Sequence, residues 1–312
     1  MASVSVVICT YADRRWSQLR AAVDSARAQT QVPDEVVVVV DHNEGLEARA
    51  RAELADAIVV ANRGPRGLSG ARNTGVAVSS GDVVAFVDDD AVADRGWLAR
   101  LTAPFASLDV AGAGGLVVPD WSGGRPRWFP EEFDWVVGCS YRGMPVSTER
   151  VRNPIGCNMA FRRDVFAAIG GFRTDLGRIG RRPVGAEETE LCIRLADKMP
   201  SARVVHVPEA AVHHAVPSSR ATWRYFAERC FGEGMSKATL GRIAGAGGTF
   251  STEWRYVGRT LPGGVLRGLG GALVRRDPMG LARAIAIGTG LALTVAGFVV
   301  GSVRRPSGQI AG

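Results

Sequence analysis

The first 118 residues alternate between short, almost purely apolar runs and longer amphipathic stretches. The apolar runs are rich in Val and Ile, which is typical of parallel strands that are covered on both faces. They lie at Val4–Cys9, Val36–Val40, Ile58–Ala61 and Val83–Val87. Helical patterns fill the intervals between them, at Ser17–Ala28, Leu46–Leu54 and Ser69–Val78. This alternation predicts an α/β fold built on a doubly wound sheet.

The pattern becomes irregular over residues 119–186, where Trp, Gly, Pro and Arg are frequent. Aromatic side chains in such a segment either line a ligand pocket or simply cover the sheet, and the sequence leaves both roles open. Regular elements are predicted again further along, with helices at Glu187–Ala196 and Arg220–Arg229 and strands at Arg203–Val207 and Ala211–Val212.

The end of the chain differs in character from the rest. Ala284–Val303 is a stretch of 20 residues without a charge, which is long enough to cross a bilayer. Arginines flank it on both sides, so the charge rule for membrane orientation does not decide its direction. We expect a first domain over residues 1–217, with halves at 1–118 and 119–217, followed by a helical region over 218–312. In that region, residues 284–303 either span the membrane or lie on its surface.

The formal net charge of +7 resides in this tail. From Lys237 onwards ten Lys and Arg residues accompany two acids, whereas 28 basic and 29 acidic residues precede it. A basic segment with an apolar core suits an anionic lipid surface, and it does not suit nucleic acid as a partner. Five cysteines without a CxxC pair, and no signal-peptide pattern, predict a location at the cytoplasmic face of the cell membrane.

Polar residues follow the predicted strands, at the edge of the sheet where doubly wound folds bind their ligands. After the first three strands these are Thr10, Tyr11, Arg14, Asp41 and Asn62. No glycine stands between Cys9 and Asp13, so the glycine-rich turn of a dinucleotide-binding fold is missing. This excludes the common nicotinamide and flavin enzymes.

Three consecutive acids, Asp88, Asp89 and Asp90, end the fourth predicted strand. Adjacent carboxylates repel one another unless a cation lies among them. Hard divalent ions such as Mn²⁺ and Mg²⁺ prefer oxygen ligands, and they commonly bridge protein carboxylates to substrate phosphates. The triplet therefore predicts a Mn²⁺ or Mg²⁺ site that binds a diphosphate.

Several motifs in order resemble family 2 glycosyltransferases, which have the GT-A fold. They are Ser5-Val6-Val7-Ile8-Cys9-Thr10-Tyr11, Gly70-Ala71-Arg72-Asn73-Thr74-Gly75, the aspartate triplet, Gly156-Cys157-Asn158-Met159-Ala160-Phe161-Arg162-Arg163, and Glu187-Glu188-Thr189-Glu190-Leu191. The resemblance covers roughly residues 3–215 and implies a mixed α/β sheet. It divides the first domain into a nucleotide-sugar half and an acceptor half.

The resemblance also implies roles for particular residues. Nucleotide-sugar binding is expected at Thr10, Tyr11, Arg14, Asp41, Asn62, Arg72, Asn73, Asp88 and Asp89. Metal binding is expected at Asp88, Asp90 and His214, with His213 as an alternative to the last. Acceptor binding is expected at Asn158 and Glu187. Glu188 would be the catalytic base, although the family more often has Asp at that position.

The chemistry of an inverting transfer agrees with a base at Glu188. One carboxylate must deprotonate the acceptor hydroxyl as it attacks the anomeric carbon, while a metal stabilises the leaving diphosphate. Acids at the start of a helix also interact favourably with its dipole, so Glu187–Glu190 has a structural role open to it as well.

These observations predict a metal-dependent, inverting glycosyltransferase that moves one sugar from a nucleotide sugar, expected to be a UDP-sugar. The Q-x-x-R-W motif of processive members is missing, which indicates a single addition. A weaker similarity points to members with polyprenyl-phosphate-linked acceptors, so a lipid-linked or cell-envelope glycan and a membrane surface are the expected partners. The alternatives are a sugar nucleotidyltransferase, which would need a glycine-rich basic loop after the first strand, and a non-catalytic sugar-binding relative.

Overall fold

A mixed sheet forms the centre of the fold. The computed structural model describes residues 2–176, 185–244, 254–274 and 276–303, and within them nine strands join one sheet. The main path of strands runs in the order β3-β2-β1-β4-β8-β6-β9-β5, and β7 pairs with β9 beside this path. The mixed α/β sheet expected from the sequence is confirmed.

The first half of the sheet is parallel and follows the sequence prediction closely. Its strands are β1 (Val4–Thr10), β2 (Glu35–Asp41), β3 (Ile58–Asn62) and β4 (Val83–Asp88), and its helices are α1 (Trp16–Arg27), α2 (Glu44–Glu53) and α3 (Leu68–Val78). Strands β1, β2 and β4 are almost entirely buried, because helices cover both faces of the sheet, whereas β3 at the edge of the sheet is partly exposed. Their carboxyl ends meet at one edge.

The second half contains antiparallel pairs, and here the structure corrects the sequence prediction. Its elements are β5 (Ala91–Ala93), α4 (Trp97–Thr102), β6 (Val110–Trp121), β7 (Glu149–Val151), β8 (Asn158–Arg162), α5 (Arg163–Ile169), α6 (Glu187–Lys198) and β9 (Arg203–Val216). The segment 119–186, predicted to be irregular, therefore contains β7, β8 and α5 as well as a short 3₁₀ helix at Glu131–Val137. The two strands predicted near residue 207 are one strand, β9.

Strand β6 was missed because its sequence has little strand propensity. It contains Ala111, Gly112, Ala113, Gly114 and Gly115 in succession. A Cβ on Gly112 would lie 2.6 Å from the ring of Phe161, and one on Gly115 would lie 1.9 Å from the carbonyl oxygen of Ala210. The glycines are required by close tertiary neighbours.

Three long helices follow the sheet, namely α7 (Trp223–Ala244), α8 (Leu261–Val274) and α9 (Pro278–Val303). A π-helical turn, Tyr256–Thr260, precedes α8. Among the described residues, α9 is the one helix whose length and composition are sufficient to cross a membrane. The predicted apolar run 284–303 forms most of it.

Two apolar clusters cover the two faces of the sheet. One contains Val7, Phe86 and Phe161, and it lies against α5 and α6. The other contains Ile8 and Phe133, and it also includes Phe226, Leu261, Ala286 and Ile287 from the C-terminal helices. The described part of the C-terminal region therefore shares its core with the sheet.

Candidate active site

The carboxyl edge of the parallel strands brings several of the predicted donor-site residues together. Asp41, at the end of β2, accepts a hydrogen bond from the Nδ2 of Asn62 at 2.6 Å and another from the backbone N of Gly67 at 3.0 Å. These donors fix the carboxylate at the mouth of a cleft. Tyr11 stands beside it with 48% of its surface exposed, available to stack on a planar base.

The three consecutive aspartates have different partners. Asp89 accepts hydrogen bonds from Thr10 Oγ1 at 2.7 Å and from Arg15 Nη1 at 2.6 Å. Arg15 Nη1 also lies 3.2 Å from Asp90 Oδ2. Burial raises the pKa of Asp89 to about 6, even though Arg15 opposes the shift. Arg15 therefore allows two neighbouring acids to be buried together.

Asp90 pairs with a histidine of β9, the strand that is paired with β5. His214 Nδ1 lies 3.3 Å from Asp90 Oδ1, and both side chains are buried. Burial alone would raise the pKa of Asp90, but the hydrogen bond and charge of His214, together with Arg15, hold that pKa well below its usual range. His213 is exposed and pairs with Asp94 instead, at 3.1 Å. Of the two histidines, His214 is the one at the aspartate cluster.

The residues around His214 offer suitable ligands for a divalent cation. Single ligand atoms of Asp88, Cys157 and His214 all lie within 4.8 Å of one another. Mn²⁺ and Mg²⁺ prefer carboxylate oxygen, and Mn²⁺ also accepts imidazole nitrogen. Burial raises the pKa of the Cys157 thiol well above its ordinary value, so that thiol stays protonated and is a poor ligand. Of the three expected metal ligands, Asp88 and His214 belong to this group, and Asp90 lies 3.3 Å from His214 Nδ1. These oxygen and nitrogen donors suit the expected metal.

A buried arginine joins the aspartate cluster to the acidic pair. Arg72, on α3, donates from Nη1 to Glu187 Oε1 at 2.8 Å and from Nη2 to the carbonyl oxygen of Gly156 at 2.9 Å. Its Nη2 also lies 3.6 Å from Asp88 Oδ1. The buried guanidinium group of Arg72 therefore links β4, α3 and α6 around the site.

Glu188 begins α6 beside Glu187, in a half-buried position. Burial and the neighbouring charge of Glu187 raise the pKa of Glu188 to about 8, although Arg72 opposes the shift. A carboxylate with this pKa is a much stronger base than an exposed glutamate, and it is suited to accepting a proton near neutral pH. The same acids also stand at the helix N-terminus, so the catalytic and structural roles are compatible.

Two adjoining cavities surround this set of residues. The first has a volume of about 1400 Å³ and is lined by Tyr11, Arg14, Asp41 and the aspartate triplet. The second has a volume of about 600 Å³. Its polar wall contains Arg72, Asp88, Glu187, Glu188 and His214, and its apolar wall contains Trp135, Tyr256, Leu261, Leu291, Val295 and Phe298.

Three predicted site residues, Asn62, Asn73 and Asn158, line neither cavity, and the first of them bonds to Asp41 as described above. The Oδ1 of Asn158 accepts a hydrogen bond from Trp97 Nε1 at 2.7 Å, and its Nδ2 donates to the carbonyl oxygens of Leu116 and Ala210. Asn73 bonds through both side-chain atoms to the backbone of Phe172. The contacts of Asn73 and Asn158 hold neighbouring segments together.

Other residues enter the site that the sequence did not single out. Arg15 reaches the aspartates, while the neighbouring Arg14 lines the cleft. Arg220 Nη1 lies 3.2 Å from His214 Nε2. Cys157 belongs to one of the sequence motifs, and the sequence assigns it no role of its own. Arginine is abundant in this chain, so no local pattern marked Arg220, which comes to the site through the turn before α7.

Comparisons with known proteins identify the family of the chain. The sequence model of Glycosyl transferase family 2 matches residues 5–170. A glucosyl-dolichyl phosphate glucuronosyltransferase from Haloferax volcanii is 39% identical over 241 residues, which are 76% of this chain and 77% of that protein.

Solved structures show the fold. The mannosyltransferase PcManGT from Pyrobaculum calidifontis, solved with GDP-Man and Mn²⁺, has a TM-score of 0.60 at 18% identity and covers 96% of this chain and 87% of its own. GalNAc-T7, solved with UDP, GalNAc and Mn²⁺, has a TM-score of 0.50 at 20% identity, over 69% of this chain and 43% of its own. The fold is of the GT-A type, and the chain belongs to glycosyl transferase family 2 and is a glycosyltransferase.

Proposed function

We propose that the protein is a metal-dependent, inverting glycosyltransferase that adds one sugar to a polyprenyl-phosphate-linked acceptor at the cytoplasmic face of the membrane. The donor is a nucleoside-diphosphate sugar, with a UDP-sugar as the first choice. One observation carries the proposal: Asp88 of the aspartate triplet and the raised-pKa Glu188 line the same cavity from different elements. An inverting transfer needs this separation of leaving group and base.

The donor half of the proposal is supported by the cleft at the carboxyl edge. A hydrogen bond fixes the position of the Asp41 carboxylate, which can also accept hydrogen bonds from a ligand. The ring of Tyr11 is exposed beside it. Asp88, Asp90 and His214 would hold Mn²⁺ or Mg²⁺ there. When bound, such an ion neutralises the charge that develops on a departing diphosphate. The guanidinium groups of Arg15 and Arg220 also lie at the aspartate cluster and add positive charge there.

The acceptor half rests on Glu188. Its carboxylate is placed to take the proton from the acceptor hydroxyl as that oxygen forms its bond to the anomeric carbon, while the bond to the diphosphate breaks. Glu187 pairs with Arg72 at 2.8 Å, and its negative charge raises the proton affinity of Glu188. Direct attack by the acceptor inverts the anomeric configuration.

The lipid-linked acceptor is supported by two observations. The Haloferax relative acts, by its name, on a glucosyl-dolichyl phosphate. The second cavity changes from acidic residues at one wall to apolar residues of the C-terminal helices at the other. An acceptor with a sugar at one end and an isoprenoid chain at the other matches that gradient.

The test is a transfer assay with the purified full chain in detergent. Donors would include UDP-glucuronic acid, UDP-glucose and GDP-mannose, and the acceptor would be a polyprenyl-phosphate-linked hexose. We expect transfer from one donor with Mn²⁺ or Mg²⁺, loss of transfer in EDTA, and inversion at the anomeric carbon. Full activity in excess EDTA, a retained configuration, or release of free sugar alone from every donor would overturn the proposal.

A further inference from the structure

Helix α9 is packed against protein on one side from end to end. Near its start, Arg283 Nη1 donates to a backbone carbonyl of the sheet domain at 2.9 Å. In its middle, a Cβ on Gly290 would lie 2.4 Å from the ring of Phe133. Near its end, the carbonyl oxygen of Gly301 accepts a hydrogen bond from Arg242 Nη1 at 3.0 Å. One side of α9 is therefore covered along its whole length.

The opposite side of α9 is an exposed apolar stripe. It consists of Leu281, Ile285, Val295, Val299 and Val303, each between 49% and 78% exposed. At about 100° per residue these five side chains fall within about 80° of one another around the helix. Helix α8 adds further exposed apolar residues, namely Leu266, Leu269, Leu273 and Val274. Together these residues form an apolar surface, which is unfavourable in contact with water.

The charges around the stripe favour an anionic lipid surface as its occupant. Within residues 254–274 and 276–303, Asp277 is the one acidic residue. The exposed basic residues of the same segments are Arg255, Arg259, Arg267 and Arg276. An apolar face bordered by arginines is typical of helices that lie in the membrane interface.

The contact between α7 and α9 argues against a membrane crossing. A Cβ on Gly297 would lie 2.0 Å from the carbonyl oxygen of Phe231, so the two backbones touch. In that part α7 carries Glu233 and Lys237. If α9 crossed the bilayer, these charges would be drawn toward the hydrocarbon, where charged side chains are strongly disfavoured. A helix lying in the plane of the interface leaves them outside.

The stripe and the second cavity meet at one place. Val295 and Val257 both line the cavity, and they are 53% and 38% exposed. The same cavity is also lined by Arg229 and Lys237, and Lys237 pairs with Glu233 at 3.3 Å. One cavity therefore contains an exposed residue of the stripe, basic side chains and Glu188 among its lining residues.

We propose that α8 and α9 lie in the plane of one leaflet and that the cavity opens sideways into that leaflet between Val257 and Val295. The isoprenoid chain of the acceptor stays in the membrane, its phosphate passes beside Arg229 and Lys237, and its sugar reaches Glu188. This inference rests on the lipid-linked acceptor of the proposed function.

The membrane geometry can be tested with single cysteines at the two ends of α9, Pro278→Cys and Ser302→Cys, both at exposed positions. The full chain is labelled with a membrane-impermeant maleimide in intact cells and in inverted membrane vesicles, and the parent chain gives the background. We expect both ends to be labelled in inverted vesicles and neither in intact cells. Labelling of the two ends from opposite sides would show a crossing and overturn the proposal.

The lateral opening can be tested with a matched pair of variants. Val295→Trp narrows the mouth, whereas Val299→Trp places the same ring on the same stripe, outside the residues that line the cavity. Transfer is measured to a polyprenyl-linked acceptor in vesicles and to a short-chain soluble analogue. We expect Val295→Trp to lower transfer to the lipid acceptor about tenfold or more, and to lower transfer to the analogue several-fold less than that.

The control separates this inference from the proposed function. Val299→Trp is expected to bind vesicles and to keep transfer to the lipid acceptor within about twofold of the parent chain. If both variants lose transfer equally, or if Val295→Trp loses both acceptors equally, the opening lies elsewhere. If the parent chain glycosylates neither acceptor with any donor, the proposed function itself fails.

Discussion

Asp88, Asp89 and Asp90 are consecutive, yet each lies in a different environment. Asp88 is the most exposed of the three and faces Arg72, Asp89 is bonded to Thr10 and Arg15, and Asp90 is buried against His214. Burial of a carboxylate is unfavourable unless a cation or hydrogen-bond donor compensates it. Each aspartate therefore depends on a partner that comes from another element of the fold.

We expect Asp90→Ala to weaken metal-dependent donor binding at least about tenfold, because it removes both an expected ligand and the partner of His214. Binding of the donor is measured by titration calorimetry with and without Mn²⁺. Asp94→Ala is the matched control, since Asp94 also pairs with a histidine but lies at an exposed position. Equal donor affinity for the two variants would remove Asp90 from the metal site.

We expect Glu188→Gln to lower kcat about 10²–10⁴-fold while donor affinity is retained, because a general base acts in the transition state. In the parent chain, kcat/KM should rise with pH, reach half of its plateau near pH 8 and level off about one unit higher, since Glu188 must lose its proton and its pKa is about 8. Rates measured from pH 6 to 9 check this. A flat profile, or a Gln variant that loses donor binding and keeps kcat, would assign the base to another residue.

The stability of the folded protein also depends on the protonation of Glu188, and it can be measured without an activity assay. The pKa of Glu188 is raised by burial and by Glu187 from an ordinary value of 4.5. The unfolded chain therefore releases this proton first, and the parent chain loses stability relative to Glu188→Gln as the pH rises from about 4.5 to about 8. Denaturant unfolding at pH 5 and pH 9 measures the difference, which should be larger at pH 9.

At the scale of elements, close approach of backbones explains the glycines of the C-terminal helices. A Cβ on Gly234 of α7 would lie 2.0 Å from the carbonyl oxygen of Thr294, and one on Gly301 of α9 would lie 2.9 Å from the Cβ of Ala238. The G-x-x-x-G pattern at 297 and 301, which favours helix association, is thus used between α7 and α9 of the same chain.

We expect Gly297→Ala to lower the free energy of unfolding by about 1–3 kcal/mol, because the added methyl group forces α7 and α9 apart. Gly288→Ala is the matched control on the same helix, where a Cβ would meet no atom within 4 Å. That substitution should raise the free energy of unfolding by up to about 1 kcal/mol, since alanine favours the helix. Chemical denaturation in detergent compares them, and a loss of equal size in both would contradict the packing argument.

At the scale of the whole molecule, the described C-terminal helices and the sheet form one packed body. Leu261, Ala286 and Ile287 belong to the same buried cluster as Phe133 and Phe226. The apolar wall of the second cavity comes from these helices, while its acidic wall comes from the sheet domain. The cavity is thus complete only when both parts are present.

We therefore expect a chain that ends at Ala244 to unfold at a lower temperature than the full chain and to aggregate, because it exposes the side chains that α8 and α9 cover. Thermal unfolding and light scattering in the same detergent measure this. A truncated chain with the full melting temperature and unchanged transfer to the lipid acceptor would show that α8 and α9 serve neither stability nor acceptor binding.

Much of the first half of the fold was predictable from the sequence. The apolar runs at Val36–Val40 and Val83–Val87 each lie inside the observed strands, because a strand buried on both faces must be apolar along its whole length. The same logic predicts which residues meet at the carboxyl edge, including Asp41 and Asp88. The ordered motifs identified the family, and the family model matches most of that region.

Strand β6 and the partners of the aspartates were decided by the tertiary structure. The glycines of β6 have no preference for a strand, and close contact with Phe161 and Ala210 is what requires them. His214 is grouped with Asp90 at the sequence level through the family resemblance alone, and Arg220 belongs to none of the motifs. Long-range packing supplies those neighbours.

Helix α9 shows most clearly what the local sequence determines and what the tertiary structure determines. Its composition determines that α9 is a helix with an apolar surface, and hydropathy alone allows it to span a membrane or to lie on one. Which side faces protein depends on the contacts of Gly290, Gly297 and Gly301 with other elements. Local sequence sets the chemistry of each side chain, whereas the environment that shifts a pKa or covers an apolar face comes from residues far along the chain.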